Sequence, residues 1–184
     1  MTLTTENASH DAAPDWQAEP LSKLIAHIQD THHRYTREEI VRLMALSSNV
    51  ASVHGERHPE LTRIRDIFQA LAQELSSHMM KEEMILFPYI ARLENAEHGA
   101  AAPIGTVRNP ITMMMHEHDN ADGALRELRA LANGYGVPAD ACASYQTLYS
   151  ALAAFEADLH QHIHLENHIL FPRAVELEQE KWGR

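Results

Sequence analysis

The sequence contains a single cysteine among its 184 residues, an excess of acidic over basic residues, and no long hydrophobic run. One cysteine excludes an internal disulfide and a thiolate-rich metal site, so any metal site must rest on histidine and carboxylate ligands. A formal net charge of -11 argues against nucleic acid and anionic membrane surfaces as partners, because both require a basic face. The longest apolar stretches are far shorter than the ~20 residues that cross a bilayer. The first residues lack the pattern of a signal or transit peptide, so we expect a cytoplasmic protein.

The sequence is rich in histidine, with 14 residues, and it contains one histidine motif twice. The motif is a histidine, a glutamate four residues later, and then Leu-Phe-Pro; its two copies contain His78 with Glu82 and His162 with Glu166. Residues four apart lie one turn above each other on a helix, so each pair presents an imidazole beside a carboxylate. The two copies are offset by the same 84 residues throughout, which indicates a duplicated unit. A metal site is the simplest reason for the repeat.

Apolar residues recur at intervals of three and four along four long segments, which is typical of amphipathic helices. The segments run from Leu21 to about His54, from Pro59 to a proline kink at Pro88, from Asn109 to about Asn133, and onward from Pro138. No segment competes as a strand. We therefore predict an all-α fold, an up-down-up-down four-helix bundle, for residues 20–184, and a disordered N-terminal arm for residues 1–19.

The two helices with the motif supply two histidines and two carboxylates, and the other two helices carry histidines near their middles. Helix one offers His27, His32 and His33, and helix three offers His116, Glu117 and His118. Imidazoles with carboxylates suit iron, zinc or manganese, and two carboxylates that reach a shared centre favour a pair of ions. A helical wheel slightly prefers His32 to His33, so the residues alone leave the choice within each cluster open.

Two segments, residues 76–88 and 165–173, closely resemble the repair-of-iron-centres family of hemerythrin-like di-iron proteins. The resemblance extends from about Asp15 to Arg173 and includes His32-His33, Val53-His54-Gly55 and Glu117-His118-Asp119. It implies a hemerythrin-like fold and an oxo-bridged centre of two iron ions per chain. The metal ligands implied by the resemblance are His33, His78, Glu82, His118, His162 and Glu166, with Glu117 lining access to the centre. These form two related halves, one from helices one and two and one from helices three and four; which histidines share an iron stays open.

The resemblance implies a cytosolic protein that helps to repair iron-sulfur clusters damaged by nitrosative or oxidative stress, with iron-sulfur proteins as its clients. A centre with four imidazoles and two carboxylates carries less negative charge than a four-carboxylate site, so it should hold ferrous iron loosely enough to donate it. The alternative is a scavenger or sensor that binds nitric oxide or dioxygen at the same centre. In both cases we expect a metal-binding stress-response protein rather than an enzyme in the ordinary sense. The sequence does not predict an oligomeric state.

Members of that family often begin with a small domain that carries a cysteine pair, and no cysteine precedes the predicted bundle here. We therefore expect a partner protein to perform any step that needs those thiols. The lone Cys142 is predicted to be buried and inert, and the run Met113-Met114-Met115 to fill core space. Lys81 and Glu83, which flank the ligand position Glu82, are predicted to face solvent. Histidines at helix ends or off the ligand face are assigned no metal-binding role and are expected to cap helices or face solvent: His54, His58, His98, His116, His160, His164 and His168.

Overall fold

The computed structural model describes residues 14–97 and 105–183, and within these ranges every regular element is helical. The helices α1, α2 and α4 are each interrupted by a short π-helical segment without a break in the helical backbone, whereas α3 is α-helical throughout. Helix α1 comprises Leu21–His27, Ile28–His33 (π) and Arg34–His54; α2 comprises Glu60–Lys81, Glu82–Leu86 (π) and Phe87–Asn95; α3 is Arg108–Leu131; α4 comprises Ala143–Leu165, Glu166–Leu170 (π) and Phe171–Trp182.

The predicted four-helix bundle is confirmed, because α1 packs on α2 and α4, and α3 packs on α2 and α4. Its interior consists of two apolar clusters. One surrounds the edge-to-face pair of Phe68 and Phe155, whose ring centres are 5.5 Å apart. The other surrounds Phe87 and Phe171. On every helix at least one buried histidine lies where the first cluster gives way to the second, so these polar side chains form a layer across the middle of the bundle.

The two copies of the repeated motif end in the same local structure, a π-helical segment followed by Phe-Pro in the first turn of the next α-helical segment. Proline lacks an N–H and its ring clashes with the carbonyl four residues earlier, so it cannot continue an unmodified α-helix. The wider π turn absorbs this mismatch, and the chain passes Pro88 and Pro172 within one continuous helix. At the position of the predicted kink at Pro88, the structure has a π-helical segment followed directly by an α-helical segment.

Several predictions about individual residues need correction. Cys142 is exposed and precedes the first turn of α4, so the prediction of a buried cysteine is wrong; its Sγ lies 3.0 Å from Nε2 of His54, which is itself buried. Of the methionine run, Met114 is buried, whereas Met113 and Met115 are 55% and 43% exposed, because consecutive helical residues face different directions.

The predicted N-terminal arm is described from residue 14 onward, and residues 1–13 lie outside the described part of the chain, as does His98. Residues 14–19 form a turn in which Trp16 stacks on His27 with ring centres 4.6 Å apart, and Arg173 donates a hydrogen bond to the Trp16 carbonyl. This segment therefore packs against the bundle. None of the described helices combines the length and the apolar character needed to cross a membrane.

Candidate metal centre

Six buried side chains meet in the middle of the bundle, and all four helices contribute to them. They are His33 from α1, His78 and Glu82 from α2, His118 from α3, and His162 and Glu166 from α4. Each is at most 3% exposed. These are the six residues that the sequence nominated as metal ligands.

The six side chains form two overlapping groups, and in each group the potential ligand atoms all lie within 4.8 Å of one another. The groups are His33, Glu82, His162 and Glu166, and His78, Glu82, His118 and Glu166. Both glutamates belong to both groups. The histidines, in contrast, pair α1 with α4 and α2 with α3, so each pair joins the two halves of the sequence repeat rather than lying within one half.

The distances within each group fit a metal ion. The Nε2 atoms of His33 and His162 are 3.1 Å apart, and those of His78 and His118 are 3.0 Å apart. Two nitrogens bound to one ion at about 2.1 Å and at a right angle are about 3.0 Å from each other. The spacing is therefore that of two ligands on one ion.

The carboxylates give an independent sign that a cation belongs here. Both oxygens of Glu82 are buried without a hydrogen-bond partner. The nearest nitrogens to Glu82 Oε2 are Nε2 of His78 at 3.3 Å and Nε2 of His33 at 3.4 Å. Buried carboxylate oxygens without donors are costly, and coordination of a cation removes that cost. The donor set thus fits a pair of divalent metal ions bridged by the two glutamates.

A second layer of side chains fixes the orientation of three of the four histidines through Nδ1. Glu83 Oε1 lies 2.7 Å from Nδ1 of His33, Glu117 Oε2 lies 2.9 Å from Nδ1 of His78, and Asn167 Oδ1 lies 2.8 Å from Nδ1 of His118. Such contacts select the tautomer whose Nε2 lone pair is free for a metal, and they increase the basicity of the imidazole.

Sequence reasoning nominated Glu117 but placed Glu83 and Lys81 in solvent, and it gave Asn167 no role. The sequence does contain a signal that could have identified these supporting residues. Each of the three supporting residues is adjacent in sequence to a ligand on its own helix, and it supports a histidine on a different helix. A residue next to an inward-facing ligand points along the rim of the same layer, where it reaches the neighbouring helix.

His33 lies in one of the two candidate ligand groups, whereas His32 lies in neither. The Nδ1 atom of His32 lies 3.0 Å from Asp158 Oδ1, and its ring lies parallel to that of His162 at 5.7 Å. The π-helical segment Ile28–His33 accounts for the difference between this arrangement and the preference of the helical wheel. A π turn holds more residues than the 3.6 that the wheel assumes, so it rotates the following position inward.

The charges of the centre shift the protonation of its groups. Burial lowers the pKa of His78, but the close approach and negative charge of Glu82, together with the charge of Glu166, outweigh burial and raise this pKa to about 9. Burial raises the pKa of Glu166, and the charges and hydrogen bonds of His162 and His118 hold it well below the ordinary value. In the metal-free centre the raised pKa of His78 and the lowered pKa of Glu166 favour a protonated His78 and an ionised Glu166, so a proton supplies part of the positive charge that a metal cation would bring.

A cavity of about 410 Å³ opens between α2 and α3 and reaches the centre. His78 and His118 form part of its wall, together with Lys81 and Glu117. Lys81 Nζ donates to Glu117 Oε1, and the other oxygen of Glu117 lies beside Nδ1 of His78. An ion pair therefore stands at the point where the cavity meets a candidate ligand.

A four-helix bundle that directs a histidine from every helix and two shared glutamates at one buried layer is a cation-binding protein of the hemerythrin type. Residues 24–174 match the family described as the hemerythrin HHE cation binding domain. The chain belongs to this family and, within it, to the group that includes the proteins named iron-sulfur cluster repair proteins.

Three relatives illustrate the similarity. The chain is 39% identical over 163 residues to the iron-sulfur cluster repair protein YtfE of Pectobacterium atrosepticum, which covers 89% of this chain and 70% of the relative. It is 37% identical over 175 residues to a probable iron-sulfur cluster repair protein of Haemophilus influenzae, which covers 95% of this chain and 74% of the relative. It is 37% identical over 161 residues to the iron-sulfur cluster repair protein DnrN of Neisseria gonorrhoeae, which covers 88% of this chain and 96% of the relative.

Proposed function

We propose that this protein binds two iron ions per chain at the buried centre and helps to repair damaged iron-sulfur clusters by donating iron to them. The observation that carries the proposal is the pair of four-residue ligand groups that share both glutamates and adjoin a cavity. The repair of iron-sulfur clusters is proposed as the process because relatives of this chain are named iron-sulfur cluster repair proteins. Nitrosative or oxidative stress as the source of damage, and a cytosolic setting, stay predictions from the sequence.

In the proposed centre, His33 and His162 would hold one iron and His78 and His118 would hold the other, and Glu82 and Glu166 could contribute to both because they belong to both groups. When bound, the iron pair supplies exchangeable ferrous ions and open coordination positions. The chain does the rest: Glu83, Glu117 and Asn167 hold three imidazoles in the tautomer that can bind metal. The apolar side chains above and below the layer keep bulk water away from the carboxylates.

The charge balance supports donation of iron rather than permanent storage. Two ferrous ions bring four positive charges, and the two bridging glutamates cancel two of them. The ion between His78 and His118 must also compete with a proton, because the pKa of His78 in the metal-free protein lies at about 9. That ion adjoins the cavity, so we propose that it is the one that exchanges with clients. In this proposal, iron is both the metal that the protein binds and the species that it transfers to clients.

The second candidate function is reversible binding of nitric oxide or dioxygen at the same iron pair. The cavity favours it, since its wall includes two ligand histidines of one group and its volume of about 410 Å³ is ample for a diatomic molecule. Each group provides four protein residues, which would leave room for a small molecule on an ion that takes six ligands.

One experiment separates the two functions. The iron-loaded protein is mixed with an iron-sulfur client whose cluster has been nitrosylated or removed, and cluster absorbance and iron transfer are followed together. Donation predicts that the client gains a cluster while this protein loses iron. If iron stays in place while nitric oxide binds stoichiometrically, donation is wrong and the second function stands. The Glu82→Leu variant is the control, since without the bridging carboxylate it should have no iron to give.

A further inference from the structure

Two histidines of α4 stand outside the buried centre and face solvent. His164 and His168 are both exposed and are separated by one helical turn across the start of the π segment Glu166–Leu170. Their rings are 4.9 Å apart between centres and tilted by 43° to each other. Among the described residues, each of these rings contacts the other, and neither belongs to the buried ligand groups.

The distance between these rings can be compared with the distances inside the buried centre. His33 and His162 have ring centres 4.8 Å apart with a tilt of 61°, and His78 and His118 have centres 4.7 Å apart with a tilt of 56°. Two imidazoles bound to one ion at about 2.1 Å place their ring centres about 4.5–5.3 Å apart. The exposed pair therefore has the spacing of the two buried pairs that are poised to share an ion.

A pair that merely stacks looks different. His32 lies against His162 with ring centres 5.7 Å apart and an angle of 8° between planes, which is a wider and nearly parallel arrangement. The exposed pair is closer and clearly tilted. Side chains at positions i and i+4 lie on one face of a helix, and a two-histidine chelate at that spacing needs no other part of the fold.

We propose that His164 and His168 form a second metal site on the surface, a two-histidine chelate for a divalent first-row transition-metal ion with water as the remaining ligands. Imidazole is a ligand that zinc, copper, iron and nickel all accept. The net charge of -11 raises the local concentration of cations around the chain. The site goes beyond the proposed function, and it can bind an ion whatever the buried centre holds.

The test is equilibrium dialysis of the full-length, iron-loaded protein against Zn²⁺, with zinc and iron measured in the same samples. The variants are His164→Ala and His168→Ala, both at exposed helical positions where alanine favours the helix. His160→Ala is the matched control. His160 is also exposed and lies one turn before His164, but its Nε2 is 3.2 Å from Asp122 Oδ1.

We expect the wild type and His160→Ala to bind one more zinc per chain than His164→Ala or His168→Ala at the same free zinc. Either substitution should weaken that ion at least about tenfold, because a single imidazole cannot chelate. Iron content should be equal in all four proteins. Equal zinc binding by the wild type and His168→Ala would overturn the proposal, and so would an equal loss in His160→Ala. Zinc uptake matched by iron release would also overturn it, because the zinc would then be entering the buried centre.

Since the readout is a difference between variants, it does not depend on the occupancy of the buried centre. A buried centre found without iron would contradict the proposed function and leave the zinc difference unaffected. The proposed iron-donating function and the proposed surface metal site can therefore be refuted independently of each other.

Discussion

Replacement of Glu82 by leucine should remove both metal ions, whereas replacement of a single ligand histidine should remove one. Glu82 belongs to both ligand groups, and its side chain is fully buried. His33 belongs to one group, so His33→Ala should leave the ion between His78 and His118 in place. Elemental analysis after anaerobic iron loading should give about two ions per chain for the wild type, about one for His33→Ala and none for Glu82→Leu.

The size of the thermal effect follows from linkage. A ligand present at 100 times its dissociation constant stabilises the folded state by about 2.7 kcal/mol, so two such ions stabilise it by about 5.4 kcal/mol. In a protein of this size, 1 kcal/mol moves Tm by about 2–4 °C, which gives a difference of roughly 10–20 °C between iron-loaded and metal-free wild type. Glu82→Leu should show no such difference on addition of iron.

The metal-free proteins should also differ in stability. Glu82 lies beside His78 and is the main cause of the raised pKa of His78, so Glu82→Leu removes one partner of a buried charge pair and leaves the other without its counter-charge. Near neutral pH, metal-free Glu82→Leu should be less stable than the metal-free wild type, by about 3–5 kcal/mol. Urea unfolding measured by circular dichroism tests this expectation, and it also shows whether loss of metal reflects loss of fold.

Glu178→Gln is the matched control for Glu82→Leu. Glu178 is fully buried, but it accepts hydrogen bonds from Tyr89, Thr106 and the Val107 amide, far from the centre in the apolar cluster around Phe87. This variant should lose stability and keep both ions. Glu82→Leu that retained one or two ions, or Glu178→Gln that lost them, would refute the assignment of Glu82 as the shared ligand.

Three further outcomes are expected. Glu117→Gln should keep two ions at saturating iron but weaken the ion beside His78 by about 10–100-fold, measured as faster release to a chelator, because the oxygen near Nδ1 of His78 loses its charge; an unchanged release rate would contradict this role. For metal-free protein, the raised pKa of His78 contributes stability that is complete below its unfolded value of 6.5 and is lost as pH rises through about 9, so the urea midpoint should fall across this interval; the fall should be absent in His78→Gln. Phe68→Ala should cost about 3–5 kcal/mol of stability through a cavity in the fully buried core without changing metal content at low temperature, and a loss of iron there would show that the centre depends on that cluster.

The fold and the positions of the ligands were accessible from the sequence because both depend on local periodicity. Apolar residues at three- and four-residue intervals marked four helices. The observed bounds of α1 and α3 agree closely with the predicted ones, whereas α2 continues past Pro88 to Asn95 and α4 begins at Ala143 rather than directly after Pro138. The repeat placed His78 with Glu82 and His162 with Glu166 on inward faces, where the structure has them buried. The remaining ligands, His33 and His118, came from the resemblance to a family.

Other properties of the centre were outside the reach of sequence reasoning. Periodicity pointed to His32 because a wheel assumes uniform pitch, and the π-helical turn that brings His33 inward leaves no mark in the composition of Ile28–His33. Glu83 was predicted to face solvent. It is within hydrogen-bonding distance of His33 because α1 and α2 are packed against each other, a contact between residues 50 positions apart.

The sequence by itself determined which helices form, which faces are apolar, and which residue types a metal would find there, since these follow from the spacing of side chains along each helix. The tertiary structure decided how the histidines pair. Duplication of the motif suggests two halves, but packing brings His33 beside His162 and His78 beside His118, across those halves. The physical reason is that a ligand pair is set by distance between helices, and the sequence of one helix has no information on which neighbour will face it.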